Sequence, residues 1–111
     1  MPHCVIEYSN DLEKNNDMFN MVQMVNQKLI DSELFDNKTI KTRAIPVSKY
    51  LIGGEISPFI HTTIRLLEGR TEKTKEQLSN NVLNLLSEKY KLVKNISVEV
   101  IDINKKFYSK N

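Results

Sequence analysis

The sequence is poor in the residues that build disulfides, metal centres and flexible linkers. It has one cysteine, no tryptophan, three glycines and three prolines among 111 residues. A single cysteine excludes an internal disulfide and a multi-cysteine metal site. No histidine or carboxylate cluster has the spacing of metal ligands, and no glycine-rich phosphate loop is present. The sequence therefore predicts a protein that works without a metal or a cofactor.

Long hydrophobic runs and a strong charge imbalance are also missing. No apolar run exceeds four residues, whereas a membrane-spanning helix needs about 20. The net charge of +2 is too small to predict nucleic-acid binding, and the predicted strands lack paired exposed aromatics. Residues 1–4 show no basic segment before an apolar core. We therefore expect a cytoplasmic protein that binds neither membranes nor nucleic acid.

The remaining composition is that of one globular domain. Hydrophobic residues make up 40% and charged residues 27%, and a chain of this length can bury its own core. Lysine is the common cation, since only three of the 16 basic residues are arginine: Arg43, Arg65 and Arg70. Each arginine is thus a candidate for a role that needs the planar guanidinium. We predict a single domain over residues 1–111, with 104–111 as a tail or inter-subunit arm.

Apolar spacing predicts six regular elements in the order β-α-β-β-α-β. Alternation predicts strands over residues 2–8, 40–45, 58–66 and 96–103. Helical spacing predicts two amphipathic helices, with these apolar stripes: Met18, Val22, Val25 and Leu29, widened by Phe19 and Met21, and then Leu78, Val82, Leu85 and Leu86.

Element ends are predicted from capping and turn residues. We expect Asn10 or Asp11 to cap the first helix, which ends near Ser32, and Thr71 or Thr74 to cap the second. The Gly53-Gly54 pair predicts a turn or hairpin tip, and Pro46 is expected to disrupt the end of the second strand.

The two halves of the chain repeat one another. Pro2 and Pro58 each open a strand, 56 residues apart. Each half is a βαβ unit, so the prediction is an α+β fold: a four-stranded mixed sheet with both helices on one face. The other face carries several apolar residues, so we expect it to pack on another subunit. A ferredoxin-like arrangement has the same element order and stays open at this point.

Pro2 is a candidate catalytic group. Aminopeptidases remove an initiator methionine before a small residue, which would leave a secondary amine at the amino terminus. An α-amino group titrates at about 7.7–8.0, and burial or nearby cations lower that pKa. A base near neutrality suits proton abstraction beside a carbonyl. The alternative is an ordinary Met-Pro start with no chemistry, and the residues alone favour it.

Three cations are candidates for binding an anion beside Pro2. Arg70 follows Gly69 at the start of the predicted second helix, where a cation opposes the helix dipole but can hold an anion with the helix amides. Lys41 and Arg43 are two residues apart on a strand and project to one face. The alternatives are a solvated loop arginine and a solvent-facing edge strand.

Two other chemically active residues favour structural roles. His61 is more typical of a hydrogen-bonded strand histidine than of a catalyst. Cys4 is expected to be a small buried apolar residue.

Short stretches through most of the chain match the sequence pattern of a known family. They include Met1-Pro2-His3, Ile40-Lys41-Thr42-Arg43, Ile60-His61-Thr62-Thr63-Ile64 and Gly69-Arg70. In order and spacing the chain resembles the 5-carboxymethyl-2-hydroxymuconate isomerases, a branch of the tautomerase superfamily that includes 4-oxalocrotonate tautomerase.

The resemblance implies a cofactor-free isomerase assembled as a homotrimer of two-βαβ subunits. It implies that processed Pro2 is the general base that converts a 5-carboxymethyl-2-hydroxymuconate-like dienol, a small unsaturated dicarboxylate, to its ketone. It also implies that Arg70 stabilises the dienolate as a catalytic residue. The second family arginine falls at Lys41, which keeps the charge but loses bidentate binding. Arg43, on the same face, is the other candidate substrate-binding residue.

Two rival interpretations remain open at the sequence level. A non-enzymatic small-molecule-binding module with a ferredoxin-like subunit would explain the element order, would form dimers and would not need a free amino terminus. An inactive trimer kept for interactions would explain the lysine at position 41.

Overall fold

A computed structural model describes all 111 residues and has the predicted element order. The strands are β1 (His3–Ser9), β2 (Lys41–Val47), β3 (Phe59–Leu67) and β4 (Asn95–Ile103), and the helices are α1 (Met18–Asp31) and α2 (Glu72–Lys89). Short 3-10 helices span Asn10–Lys14, Asn37–Thr39 and Lys105–Phe107. Neither α1 nor α2 is both long and apolar enough to cross a membrane.

The four strands form one sheet in the order β2-β1-β3-β4. β1 pairs parallel with β2 and antiparallel with β3, and β3 pairs parallel with β4. Each βαβ unit therefore contributes two adjacent parallel strands. This pairing excludes the ferredoxin-like alternative, because that split arrangement places another strand between the two strands of a unit.

Strand alternation gives the sheet two unlike faces. The helix face packs on α1 and α2 and forms the core, whose fully buried strand residues are Cys4, Ile6, Ile60, Ile64 and Leu66. The opposite face, here called the open face, carries polar and charged residues in register: Lys41 beside His3 beside Arg65, then Arg43 beside Val5 beside Thr63. Residues of even number on β1 to β3 point into the core, so the period-2 prediction is confirmed.

The first helix corrects two sequence predictions. Asp17 caps α1 by accepting a hydrogen bond from the Phe19 amide, while Asn10 and Asp11 begin a separate 3-10 helix. Phe19 is 65% exposed rather than part of the apolar stripe. Met21, in contrast, is fully buried, because it shares a face with Val25 one turn later.

The start of the second helix agrees with the sequence prediction, whereas the end of the second strand does not. Thr71 caps α2 by accepting from the Thr74 amide, as predicted. The β2 strand continues through Pro46 to Val47, although Pro46 was expected to disrupt it. β2 lies at the sheet edge, where a missing backbone N–H leaves no ladder bond unmade.

Candidate active site

The start of β1 is held where the helix face and the open face meet. The Met1 amino group donates to the Thr39 carbonyl at 2.9 Å, and the Lys41 amide donates to the Pro2 carbonyl at 3.1 Å. Pro2 is fully buried. Its ring is therefore enclosed, and its nitrogen lies at the start of β1, next to the start of β2.

Several charges act on the amino terminus. Burial, and next the Lys41 ammonium, lower the pKa of the Met1 amino group below its ordinary value. Lys110 and Arg70 lower this pKa further, against an opposing contribution from Asp36. Lys41 Nζ donates to the Thr39 carbonyl at 3.1 Å, the same oxygen that the amino group binds. The surroundings therefore favour a neutral amine, which is what a general base requires.

Arg70 is held by groups that leave most of its guanidinium free. Gly69 reaches a φ of 123°, a conformation that residues with a Cβ rarely adopt, and turns the chain from β3 toward α2 just before Arg70. Arg70 Nη2 donates to the Leu34 carbonyl at 2.7 Å, and its guanidinium carbon lies 5.0 Å from the centre of the Phe35 ring. One nitrogen is thus engaged, while the other N–H groups can bind an anion.

Arg43 lies in a different group from Lys41. Its Nη1 donates to His3 Nδ1 at 3.2 Å, and His3 Nε2 shares a 2.9 Å hydrogen bond with the Tyr108 hydroxyl. Arginine cannot accept, so Nδ1 is unprotonated and a neutral His3 donates from Nε2 to Tyr108. Burial and then the Arg43 charge lower the pKa of His3, which agrees with that assignment. Of the predicted cations, Lys41 shares the Thr39 carbonyl with the amino group, Arg70 contacts Leu34 and Phe35, and Arg43 contacts His3.

His61 forms a separate hydrogen-bonded network on the open face. Its Nε2 donates to Glu99 at 2.6 Å, and its Nδ1 lies 2.6 Å from the Ser97 hydroxyl. Thr63 donates to the same Glu99 oxygen at 3.3 Å. These cross-strand contacts follow from the β3–β4 register and satisfy the histidine, as the sequence favoured.

Cys4 is buried in the helix face and has no nucleophilic role. Its side chain is inaccessible, and burial raises the pKa of its thiol to about 12. It packs as a small apolar residue, as predicted.

Sequence reasoning did not connect His3, Arg65 and Tyr108, although Arg65 was one of the three candidate arginines. The first two share an open-face row that strand alternation could have assigned once the β1–β3 register was known. Tyr108 is 105 residues from His3, and no local pattern predicts that contact.

The chain is similar to known proteins in both sequence and fold. The family model for 5-carboxymethyl-2-hydroxymuconate isomerase matches residues 2–111. A 5-carboxymethyl-2-hydroxymuconate isomerase from Deinococcus radiodurans R1 is similar in structure, with a TM-score of 0.86 and 21% identity over 99% of this chain and 88% of that one. No curated protein matches the chain significantly in sequence.

Two further solved structures extend the similarity of fold. A 5-carboxymethyl-2-hydroxymuconate delta-isomerase has a TM-score of 0.78 and 19% identity over 100% of this chain and 87% of its own. A fused 4-OT wild type symmetric trimer has a TM-score of 0.81 and 13% identity over 97% of this chain and 90% of its own. The fold is therefore that of the tautomerases. Because the family model covers nearly the whole sequence, the chain belongs to the 5-carboxymethyl-2-hydroxymuconate isomerase family and is an isomerase of the tautomerase superfamily.

Proposed function

We propose that the chain is a cofactor-independent tautomerase of a small unsaturated dicarboxylate, with the Pro2 nitrogen as general base. The observation that carries this proposal is the environment of the amino terminus. Burial and three cations, Lys41, Lys110 and Arg70, lower the pKa of the Met1 amino group, against an opposing contribution from Asp36. After removal of Met1, the Pro2 nitrogen becomes the terminal amine at the start of β1, and we expect the same groups to act on it.

The proposed reaction moves one proton within the substrate and consumes nothing else. The Pro2 amine accepts the proton of a dienol hydroxyl, which leaves a dienolate and a prolinium ion. The carbonyl forms as the double bonds of the substrate shift, and the prolinium ion returns its proton to a carbon atom of the substrate. The amine is regenerated, so atoms and charges balance with no cofactor.

Lys41 and Arg70 have distinct proposed roles. Arg70, with its free N–H groups, binds a carboxylate and stabilises the negative charge that develops on the dienolate oxygen. Lys41 holds the second carboxylate as a point charge, because an ammonium lacks the paired donors of a guanidinium. Arg43 is engaged by His3, so this proposal does not need it.

We also propose that the subunit assembles as a homotrimer through its open face. Structural neighbours described as 4-OT trimers support this assembly, as do the partly exposed Ile45 and Ile101 on that face. Light scattering should give three times the 12.9 kDa chain mass. A monomer or a dimer would contradict the assembly.

The enzymatic proposal is tested with 2-hydroxymuconate, followed by the loss of its dienol absorbance. Arg70→Ala should lower kcat/KM by about 10²–10³-fold, the usual cost of removing one donor to a developing oxyanion. Arg70→Lys should recover part of that loss, because lysine restores the positive charge but not the paired N–H donors of the guanidinium. Lys91→Ala removes an exposed cation beyond α2 and serves as the matched control. Activity that is equal in the Arg70→Ala and Lys91→Ala proteins would remove Arg70 from the mechanism.

The pH profile tests the base directly. The neutral amine is the active form, so kcat/KM should rise with pH and level off above the amine pKa. Because burial and Lys41 lower the pKa at this position, the midpoint should lie below the ordinary amine range of about 7.7–8.0. Lys41→Ala removes a cation and should move the midpoint upward. A midpoint that does not move would show that Lys41 does not act on the base.

A further inference from the structure

Arg70 is held by a part of the chain that is distant in sequence. Its Nη2 donates to the carbonyl of Leu34, 36 residues earlier, and its guanidinium lies over the ring of the next residue, Phe35. Both residues belong to the connection between α1 and β2. The ion pairs of the protein do not include Arg70, so these two contacts are what orients its charge.

The carbonyl and the ring restrict the guanidinium in different ways. The hydrogen bond of 2.7 Å fixes one nitrogen, but the group can still rotate about that bond. The Phe35 ring centre lies 5.0 Å from the guanidinium carbon, within the distance of about 6 Å at which an aromatic face attracts a cation. The ring thus opposes the rotation, while the N–H groups that do not bind Leu34 stay available for an anion.

The turn after α1 places Leu34 and Phe35 for these contacts. Glu33 has a φ of 59°, a left-handed conformation that is uncommon for a residue with a side chain, and it turns the chain away from the helix axis. The Ser32 hydroxyl donates to the Leu29 carbonyl at 2.6 Å and accepts from the Leu34 amide at 3.3 Å. Leu34 and Phe35 also pack against the core. These contacts hold both residues in place without help from the arginine.

The same connection also contacts the amino terminus. Four residues after Phe35, the Thr39 carbonyl accepts from the Met1 amino group at 2.9 Å. The Thr39 amide and hydroxyl both donate to the Asp36 carbonyl, at 2.9 and 2.7 Å. A short hydrogen-bonded segment thus joins the residues that hold the arginine to the residue that holds the terminal amine.

We propose that Phe35 is a positioning residue, which holds the Arg70 guanidinium in the orientation that binds the substrate anion. The inference rests on the proposed tautomerase function, in which Arg70 stabilises the dienolate. Phe35 acts only through Arg70. Without the ring the arginine keeps its charge, but its N–H groups are no longer directed in advance, so part of the electrostatic stabilisation of the transition state is lost.

The kinetic test uses 2-hydroxymuconate and protein that lacks Met1. Phe35→Leu keeps an apolar side chain but removes the aromatic face, so it should lower kcat/KM by about 2- to 30-fold, the range that a cation–π contact supplies. Phe35→Tyr keeps the ring and should keep the activity of the parent. Phe19→Leu makes the same change at a ring that is 65% exposed, and it should leave the activity unchanged.

A double-mutant cycle separates positioning from a general loss of structure. Phe35→Leu should lower kcat/KM in the parent protein but not in Arg70→Ala, because the residue through which the ring acts is then absent. A structural role would give equal losses in the two backgrounds, and that result would overturn the proposal. A parental rate for Phe35→Leu, or equal losses for Phe35→Leu and Phe35→Tyr, would also overturn it.

A measurement without substrate keeps the proposal testable if the proposed function fails. The protein has only three arginines, so isotope-labelled arginine should give three Nε–Hε signals in an NMR spectrum, of which Arg70→Ala removes one. An aromatic ring shields protons over its face, so Phe35→Leu should move the Arg70 signal downfield, whereas Phe35→Tyr should not. An Arg70 signal that Phe35→Leu does not move would overturn the proposal at any level of activity. A parent protein that shows this shift but isomerises nothing would contradict the tautomerase function and not the contact.

Discussion

The two faces of the sheet use the same strands for opposite purposes. On β1, Cys4 and Ile6 are fully buried against the helices, while His3 faces outward beside Arg65 and Lys41. The helix face keeps a titratable thiol neutral, whereas the open face collects unpaired cations around a pocket. A step of one residue along the strand therefore separates a position in the core from a position on the open face.

Pro2 lies where these two environments meet. Like Cys4 and Ile6, Pro2 points toward the helix face, so its ring is enclosed. Its neighbour Lys41 belongs to the open face. An amine at this boundary is partly desolvated and also close to a cation. Both effects lower its pKa in the direction that proton transfer near neutral pH requires.

The largest expected effect concerns the buried thiol. With its pKa raised to about 12, Cys4 should react with iodoacetamide at pH 8 about a thousandfold more slowly in the folded than in the unfolded protein. Mass spectrometry of samples quenched over time, with and without urea, measures the ratio. A ratio near one would mean that the helix face opens readily.

The next comparison uses two adjacent residues on β3. Ile64→Ala should cost about 2–5 kcal/mol of unfolding free energy, since Ile64 is fully buried in the core. Arg65→Ala should cost less than Ile64→Ala, because the Arg65 side chain lies outside the subunit core and forms no ion pair within the chain. Urea denaturation followed by circular dichroism measures both. Similar losses would contradict the division between the faces.

A smaller effect of opposite sign is expected at Thr62. Its hydroxyl oxygen is fully buried in the helix face and has no hydrogen-bond partner. Thr62→Val keeps the shape and removes the unsatisfied group, so it should stabilise the protein by about 1 kcal/mol. The same denaturation experiment tests this, with Thr63→Val as the contrast: the Thr63 hydroxyl donates to Glu99, so its removal should not stabilise the protein. Destabilisation by Thr62→Val would show that the hydroxyl is satisfied.

The smallest effect belongs to the open-face network. The hydrogen bond from His61 lowers the pKa of Glu99, so the carboxylate stabilises the fold above its unfolded pKa and loses that contribution as pH falls through the folded value. Glu99→Gln should therefore be slightly less stable than the parent at pH 7, and the difference should be smaller at pH 3. An equal difference at both pH values would separate the effect from this ionisation.

Local patterns predicted the elements and the faces but not the long-range site. Alternation placed Lys41 and Arg43 on one face, and helical spacing found the buried Val25 and Leu29. Neither pattern could predict that the Arg43 side chain binds His3 rather than the amino terminus, because side-chain rotamers depend on neighbours across the sheet.

The errors of prediction have local physical causes. Asn10 and Asp11 are residue types that cap helices, but both lie in a 3-10 helix, and Asp17 caps α1 instead. Pro46 has the chemistry of a strand end, but β2 is an edge strand, where a proline is tolerated. Each correction depends on tertiary position rather than on residue type.

The most direct test of the account compares two forms of the same protein. One preparation has an intact mass that lacks Met1, so the Pro2 nitrogen is a free amine. The other retains Met1, so that nitrogen is an amide and cannot accept a proton. The account predicts that 2-hydroxymuconate is isomerised by the first form at least about 10²-fold faster than by the second, the usual contribution of a general base. Equal rates in the two forms would contradict the role of Pro2.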